Sequence, residues 1–146
     1  MKNISGRLVR VYLCHPLHDG RPFLSNLRAA GTWRGIIDMI PGVKCWAPWI
    51  DLAETDPDEG QRGKAWEQVV MGFCLQALYM SDVVLVVGKL VSQDVMSGIT
   101  LGQGIEMIKA AEWEIPMVSM DKSLIRRSGA ADLIARQVKK VCEWPG

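Results

Sequence analysis

The alternation of apolar and polar positions changes period several times along the chain, and each change marks an element. Arg7 to Cys14 is β-rich and predicts a first strand, ended by the turn signal His15-Pro16. From Phe23 to Ile40, Leu27, Ala30, Trp33, Ile36, Ile37 and Ile40 recur at helical spacing until Pro41-Gly42 stops them. Val43 to Ala47 predicts a short second strand ended by Pro48. Asp51 to Gly63 is acidic and rich in Pro and Gly, which predicts a long loop. Val69 to Val87 is almost wholly apolar and about as long as a membrane span. Gln76 and Ser81-Asp82 interrupt it, and its second half is β-branched. It therefore divides into a helix, Lys64 to Met80, and a buried strand, Val83 to Val87. Lys89 to Ile99 is expected as a loop. A third helix from about Gly102 to Glu112, a strand from Ile115 to Met120 and a last helix from about Ala130 to Cys142 complete the chain.

Strands alternating with helices through short connections predict an α/β three-layer sandwich, a flavodoxin- or Rossmann-like parallel sheet of four to five strands. The whole chain, 1–146, reads as one domain. Ligands of such sheets sit beyond the carboxyl ends of the strands, where strand order reverses. The loops Cys14–Arg21, Pro48–Gly63 and Gly88–Gly104 are predicted to meet there. The 64–80 helix is apolar nearly all round, so it should cover the sheet with one face and a second copy of the chain with another.

Composition narrows the classes further. A net charge of +1 with 23% charged residues gives no reason to expect nucleic acid or an anionic membrane as partner. The four cysteines, at 14, 45, 74 and 142, lack C-x-x-C and zinc spacing, which suits a reduced, cytoplasmic protein without a metal. His15 and His18 offer no metal set beyond their i, i+3 spacing. Asp51, Glu54, Asp56, Asp58 and Glu59 lack EF-hand spacing and are expected to form a solvated lid.

The chemistry is concentrated in Thr100-Leu101-Gly102-Gln103-Gly104-Ile105-Glu106, which opens the third helix. Gly102 and Gly104 let backbone approach a ligand, and a helix N-terminus favours an anionic group. Glu106, placed in or near the first turn, is expected to be held ionised by the helix field, either as dipole compensation or as a nucleophile.

Three blocks together resemble the nucleoside 2-deoxyribosyltransferase superfamily, and within it the 2'-deoxynucleoside 5'-phosphate N-hydrolases. They are Val11-Tyr12-Leu13-Cys14-His15-Pro16-Leu17-His18-Asp19-Gly20, Ser81-Asp82-Val83-Val84-Leu85-Val86-Val87, and Thr100 to Glu106 with Ala110-Ala111 and Ile115-Pro116-Met117-Val118 after it. The last is similar to the family's S-x-G-x-x-x-E, helix, Pro-strand sequence. The resemblance implies that Glu106 attacks the anomeric carbon of a nucleoside or nucleotide and that Tyr12 positions it. It further implies that Thr100 meets a 5'-phosphate, that Gly102 and Gly104 surround it, and that His15, Pro16, His18, Asp19 and Gly20 line sugar and phosphate. No cofactor is implied. Trp49 is expected to stack on the base and Trp46 to be a core or interface residue. The proton donor for the leaving base is left among Asp19, Asp51 and an acidic residue of a second copy.

Two positions depart from the family. Cys74 stands where its second helix has an aspartate that orients the nucleophile, and Pro16 removes a backbone donor from the first loop. Both favour a second reading, a non-catalytic nucleotide-binding or sensing module. Tyr12 and Glu106 favour the enzyme.

Overall fold

The computed structural model describes residues 7–17, 20–48, 50, 64–92, 95–97 and 99–142. Four strands lie parallel in the order β2 (Val43–Trp46), β1 (Val9–Cys14), β3 (Val83–Ser92), β5 (Met117–Asp121). The reversal of strand order falls between β1 and β3, which pair from Val11↔Val83 to Cys14↔Val86. A short β4 (Val95–Ser97) pairs antiparallel with the far end of β3, through a register shift between Leu90 and Ser92. The sequence pattern predicts a loop for this stretch. Gly88 suggests a strand end, and three residues of β4 are too few to show a period.

Side-chain alternation in β1 divides the molecule into its layers. Val9, Val11 and Leu13 point to one face, where α1 (Phe23–Asp38) and α4 (Ala130–Val141) cover the sheet with Trp33, Ile37, Ile134 and Val138. Tyr12 and Cys14 point to the other face. There α2 (Lys64–Tyr79) contributes Val70, Cys74 and Leu78, and α3 (Leu101–Glu112) contributes Ala110. The run Val83 to Val87 is fully buried because helices lie on both of its sides. The outer side of α2 stays open among the described residues, with Phe73 49% exposed and Tyr79 and Met80 also exposed. No helix among them is long and apolar enough to cross a membrane.

Each end of the sheet is tied by one buried polar side chain. At the amino ends, Asp82 is fully buried at the start of β3. Its carboxylate accepts from both terminal nitrogens of Arg7, at 2.6 and 2.7 Å, and from the Arg10 N–H at 2.8 Å. The carboxyl ends are tied by Gln103, in the first turn of α3. Its side-chain amide donates to the carbonyls of Cys14 (3.1 Å) and Val87 (2.7 Å), on β1 and β3. Its carbonyl accepts from the Thr100 N–H at 3.0 Å, while its own N–H donates to Thr100 Oγ1 at 3.2 Å. That reciprocal pair is a capping box, so one side chain starts the helix and fastens it across the sheet.

Replacing Gln103 by alanine takes the amide donor away from two carbonyls at the strand ends and removes half of the cap. The expected cost is about 2–4 kcal/mol, read as a lower midpoint in urea unfolding with an unchanged slope. An unchanged midpoint would show that the strand ends are not held from α3.

Candidate active site

Helical spacing links Gln103 to the residues one and two turns beyond it. Residues 103, 106 and 110 share one face of α3 and are its buried residues, so fastening Gln103 to the strand ends turns Glu106 inward. Glu106 lies in the second turn of α3, which begins at Leu101, and is only 8% exposed. The expectation that the helix field holds it ionised is therefore corrected. Burial is the dominant effect and raises its pKa from 4.5 to about 7, against the opposing pull of the Tyr12 hydroxyl and the Cys14 thiol.

Among the described residues, Tyr12, Cys14 and Cys74 set neutral donors near the carboxylate. Burial and then the charge of Glu106 push the Tyr12 hydroxyl and the Cys14 thiol well above their usual ranges. The same two causes push the Cys74 thiol up to about 12. Among the described residues, neither Glu106 Oε2 nor the Tyr12 hydroxyl finds a hydrogen-bond partner, although both are buried. They act on one another electrostatically without closing a bond, a geometry that unliganded sites show and that substrate can tighten. Behind them the Tyr12 ring stacks on Trp46, with centroids 5.6 Å apart and planes at 20°. That places Trp46 against the core layer, one of its two expected roles.

Glu106 opens onto a cavity of about 300 Å³ beyond the carboxyl end of β1. This is the small end of the range for ligand sites. Its walls come from His15 and Leu17 after β1, Pro48 after β2, Val70, Met71 and Cys74 of α2, and Thr100, Leu101, Gly102, Gln103 and Glu106. Of the residues singled out in the sequence, His15, Thr100, Gly102 and Glu106 are thus brought together. Tyr12 stands behind the wall, fully buried. Pro16 is buried beside it, where its carbonyl accepts from His15 Nδ1–H at 2.8 Å.

Gly104 and Gly20 are not among the walls. A Cβ on Gly104 would meet nothing within 4 Å, so no close approach inside the chain requires it. Gly20 is exposed with φ of 92°, a left-handed backbone that explains a glycine by itself. His18, Asp19, Trp49 and the acidic stretch 51–63 lie outside the described residues. Sequence reasoning missed Gln103, although Thr100-Leu101-Gly102-Gln103 has capping-box spacing that could have revealed it. Leu17, Pro48 and Leu101 lie in the three loops predicted to meet there, whereas Val70 and Met71 of α2 were missed, because apolar wall residues carry no chemical signature. Among the described residues, no group of three or more His, Cys, Asp or Glu side chains is placed to hold a metal ion.

No protein-family model matches the chain, and no curated protein matches it in sequence. Its fold does have counterparts among solved structures. A 2-deoxyribosyltransferase from Bacillus psychrosaccharolyticus superposes with a TM-score of 0.57 over 77% of this chain and 72% of that one, at 13% identity. A 2-desoxiribosyltransferase from Leishmania mexicana gives 0.51 over 77% of this chain, at 11% identity, and this chain covers 64% of that longer one. The chain therefore has the nucleoside 2-deoxyribosyltransferase-like fold, a parallel sheet between two helical layers.

Proposed function

We propose that this domain cleaves or transfers the N-glycosidic bond of a nucleoside, deoxynucleoside or nucleoside 5'-monophosphate, with Glu106 as nucleophile. The observation that carries this reading is the buried Glu106 carboxyl, whose Oε2 lacks a partner among the described residues, at a cavity where strand order reverses. Breaking a glycosidic bond builds positive charge at the anomeric carbon, which an adjacent carboxylate stabilises and traps as a sugar ester. Water or a second base then resolves the ester. A carboxyl with a pKa near 7 is ionised in about half of the molecules at neutral pH. Tyr12 favours the ionised form of that carboxyl against burial, and Thr100 and Gly102 contribute the helix N-terminus to the cavity wall. The exposed side of α2 is the surface through which we propose that two copies associate. One observation favours the second reading, a nucleotide-binding module without turnover. The neutral thiol of Cys74 supplies no negative charge to orient the nucleophile.

Incubation with a panel of nucleosides and monophosphates, with chromatography for free base, separates the two. Base release that falls by roughly 10³-fold or more in Glu106→Ala is the expected result. Tight binding without base release in the unmodified protein would retire the enzyme in favour of the module.

Tyr12→Phe keeps the ring on Trp46 and removes the hydroxyl that lowers the Glu106 pKa. The rising acid limb of kcat/KM, expected near pH 7, should move to higher pH, and kcat should fall about tenfold or more. An unmoved limb would separate Tyr12 from the nucleophile.

Stability should carry the same signature. Between pH 4.5 and about 7 the folded protein keeps the Glu106 proton while the unfolded chain has lost it, so this residue costs stability as pH rises through that window. Glu106→Gln removes the effect. Its stability relative to the unmodified protein should improve from pH 4.5 to 8 by at most roughly 3 kcal/mol, measured by denaturant unfolding at each pH. A pH-independent difference would show that Glu106 is solvated.

A further inference from the structure

On the α2 side of the sheet, the edge formed by β1 and β2 is only partly covered. Parallel register puts Arg10 on the same face of β1 as Tyr12, and Lys44 on the same face of β2 as Trp46. Over that face α2 packs Val70, Cys74 and Leu78 against Tyr12 and β3, while β2 adds the half-buried Trp46. Between α2 and this edge remains a groove of about 550 Å³. Trp46, Phe73, Ala77 and Met80 give it an apolar lining, and Phe73 and Met80 are about half exposed. A mainly apolar hollow of this size with a few polar groups at its rim has the proportions of a small-molecule site.

The rim carries positive charge that the fold does not use. Arg10 and Lys44 are direct register partners on adjacent strands, both exposed and both lining the groove. Among the described residues, no acidic side chain pairs with either. Like charges set side by side on neighbouring strands repel one another. Arg7, the third cation of the lining, is in a different state, because the Asp82 carboxylate engages both of its terminal nitrogens. An anion seated between Arg10 and Lys44 relieves their repulsion, and a carboxylate has two oxygens to divide between a guanidinium and an ammonium.

We propose that this groove binds a small aromatic carboxylate, with its acid group between Arg10 and Lys44 and its ring system against Trp46 and Phe73. The unpaired cations set the sign of the occupant, and the apolar lining sets its body. A sugar-bearing anion matches the lining less well. Ser81 Oγ already donates to the Ala77 carbonyl at 2.8 Å, which leaves Gln76 as the uncharged polar side chain facing the groove. The site is distinct from the cavity at Glu106 and does not depend on the reading of that residue. The two meet at one place: Trp46, which lines the groove, stacks on Tyr12. A second copy seated on α2 competes for Phe73 and Met80, and the experiment distinguishes the two occupants.

The probe is naphthoate, titrated calorimetrically into the full chain, with naphthylmethanol as its neutral counterpart of similar shape. Saturable binding of one naphthoate per chain is expected, and affinity about tenfold or more lower for the alcohol. Arg10→Ala and Lys44→Ala, both at exposed positions, should each weaken naphthoate by a similar factor without weakening the alcohol, and Arg10→Lys should recover part of the loss. Phe73→Ala should weaken both probes alike, with melting temperatures confirming that each variant is folded. Glu106→Ala should bind naphthoate as the unmodified protein does. Equal affinity for the two probes, or naphthoate binding indifferent to Arg10 and Lys44, would reduce the groove to an apolar surface and overturn the proposal. Loss of binding in Glu106→Ala would move the ligand to the other cavity, with the same consequence. Absence of binding would overturn it as well. So would binding that appears only on dilution, as sedimentation shows paired copies separating, since a second copy would then be the occupant.

Discussion

A single buried amide, that of Gln103, sets the geometry on which the rest of the site depends. Its two N–H bonds close the carbonyls of Cys14 and Val87, on the two strands between which sheet order reverses. Its carbonyl holds the Thr100 N–H, so the same group starts α3. Backbone carbonyls are obligatory acceptors, and leaving them buried and unpaired is costly. The helix is thereby fixed in rotation as well as position. Glu106, three residues later on the same face, is buried with it.

That orientation puts a carboxyl where none of the described residues neutralises it. Tyr12, Cys14 and Cys74 surround it with groups that are themselves neutral and pushed upward in pKa by burial and by Glu106. Asp82, at the opposite end of the sheet, is the contrasting case. It is more deeply buried, yet two Arg7 nitrogens and the Arg10 N–H satisfy it, as a structural carboxylate requires. Glu106 has an oxygen without a partner among the described residues and a pKa near 7. Folding tolerates such a group at a cost, and perturbed groups of this kind concentrate at functional sites. Among the described residues, these two buried carboxylates divide the sheet into an end that holds the fold and an end that opens onto the cavity.

Much of this architecture is written in period and punctuation. The change from period 2 to helical spacing after Pro22, the stop at Pro41-Gly42 and the apolar run from Val83 to Val87 are local signals, and the corresponding elements lie where they predict. The β3–β4 hairpin is illegible in sequence, because a three-residue strand has no period and its partner already looks complete at Gly88. In the site, Tyr12, Thr100 and Glu106 stand out for chemistry, and the alternation of β1 suffices to put Tyr12 and Cys14 on one face.

What the sequence determined by itself is therefore the order of the helices and the four parallel strands, and the segment that opens α3. Tertiary structure decided the electrostatic state of Glu106, which local position predicted in the wrong direction. The helix field acts within one turn, whereas desolvation depends on what two strands and two helices place around the group. It also decided that Pro16 meets His15 through its carbonyl and that Cys74 meets Glu106 across α2 and α3. A sequence gives each residue its donors, acceptors and charge. Which of them face one another is settled only when distant segments share a wall.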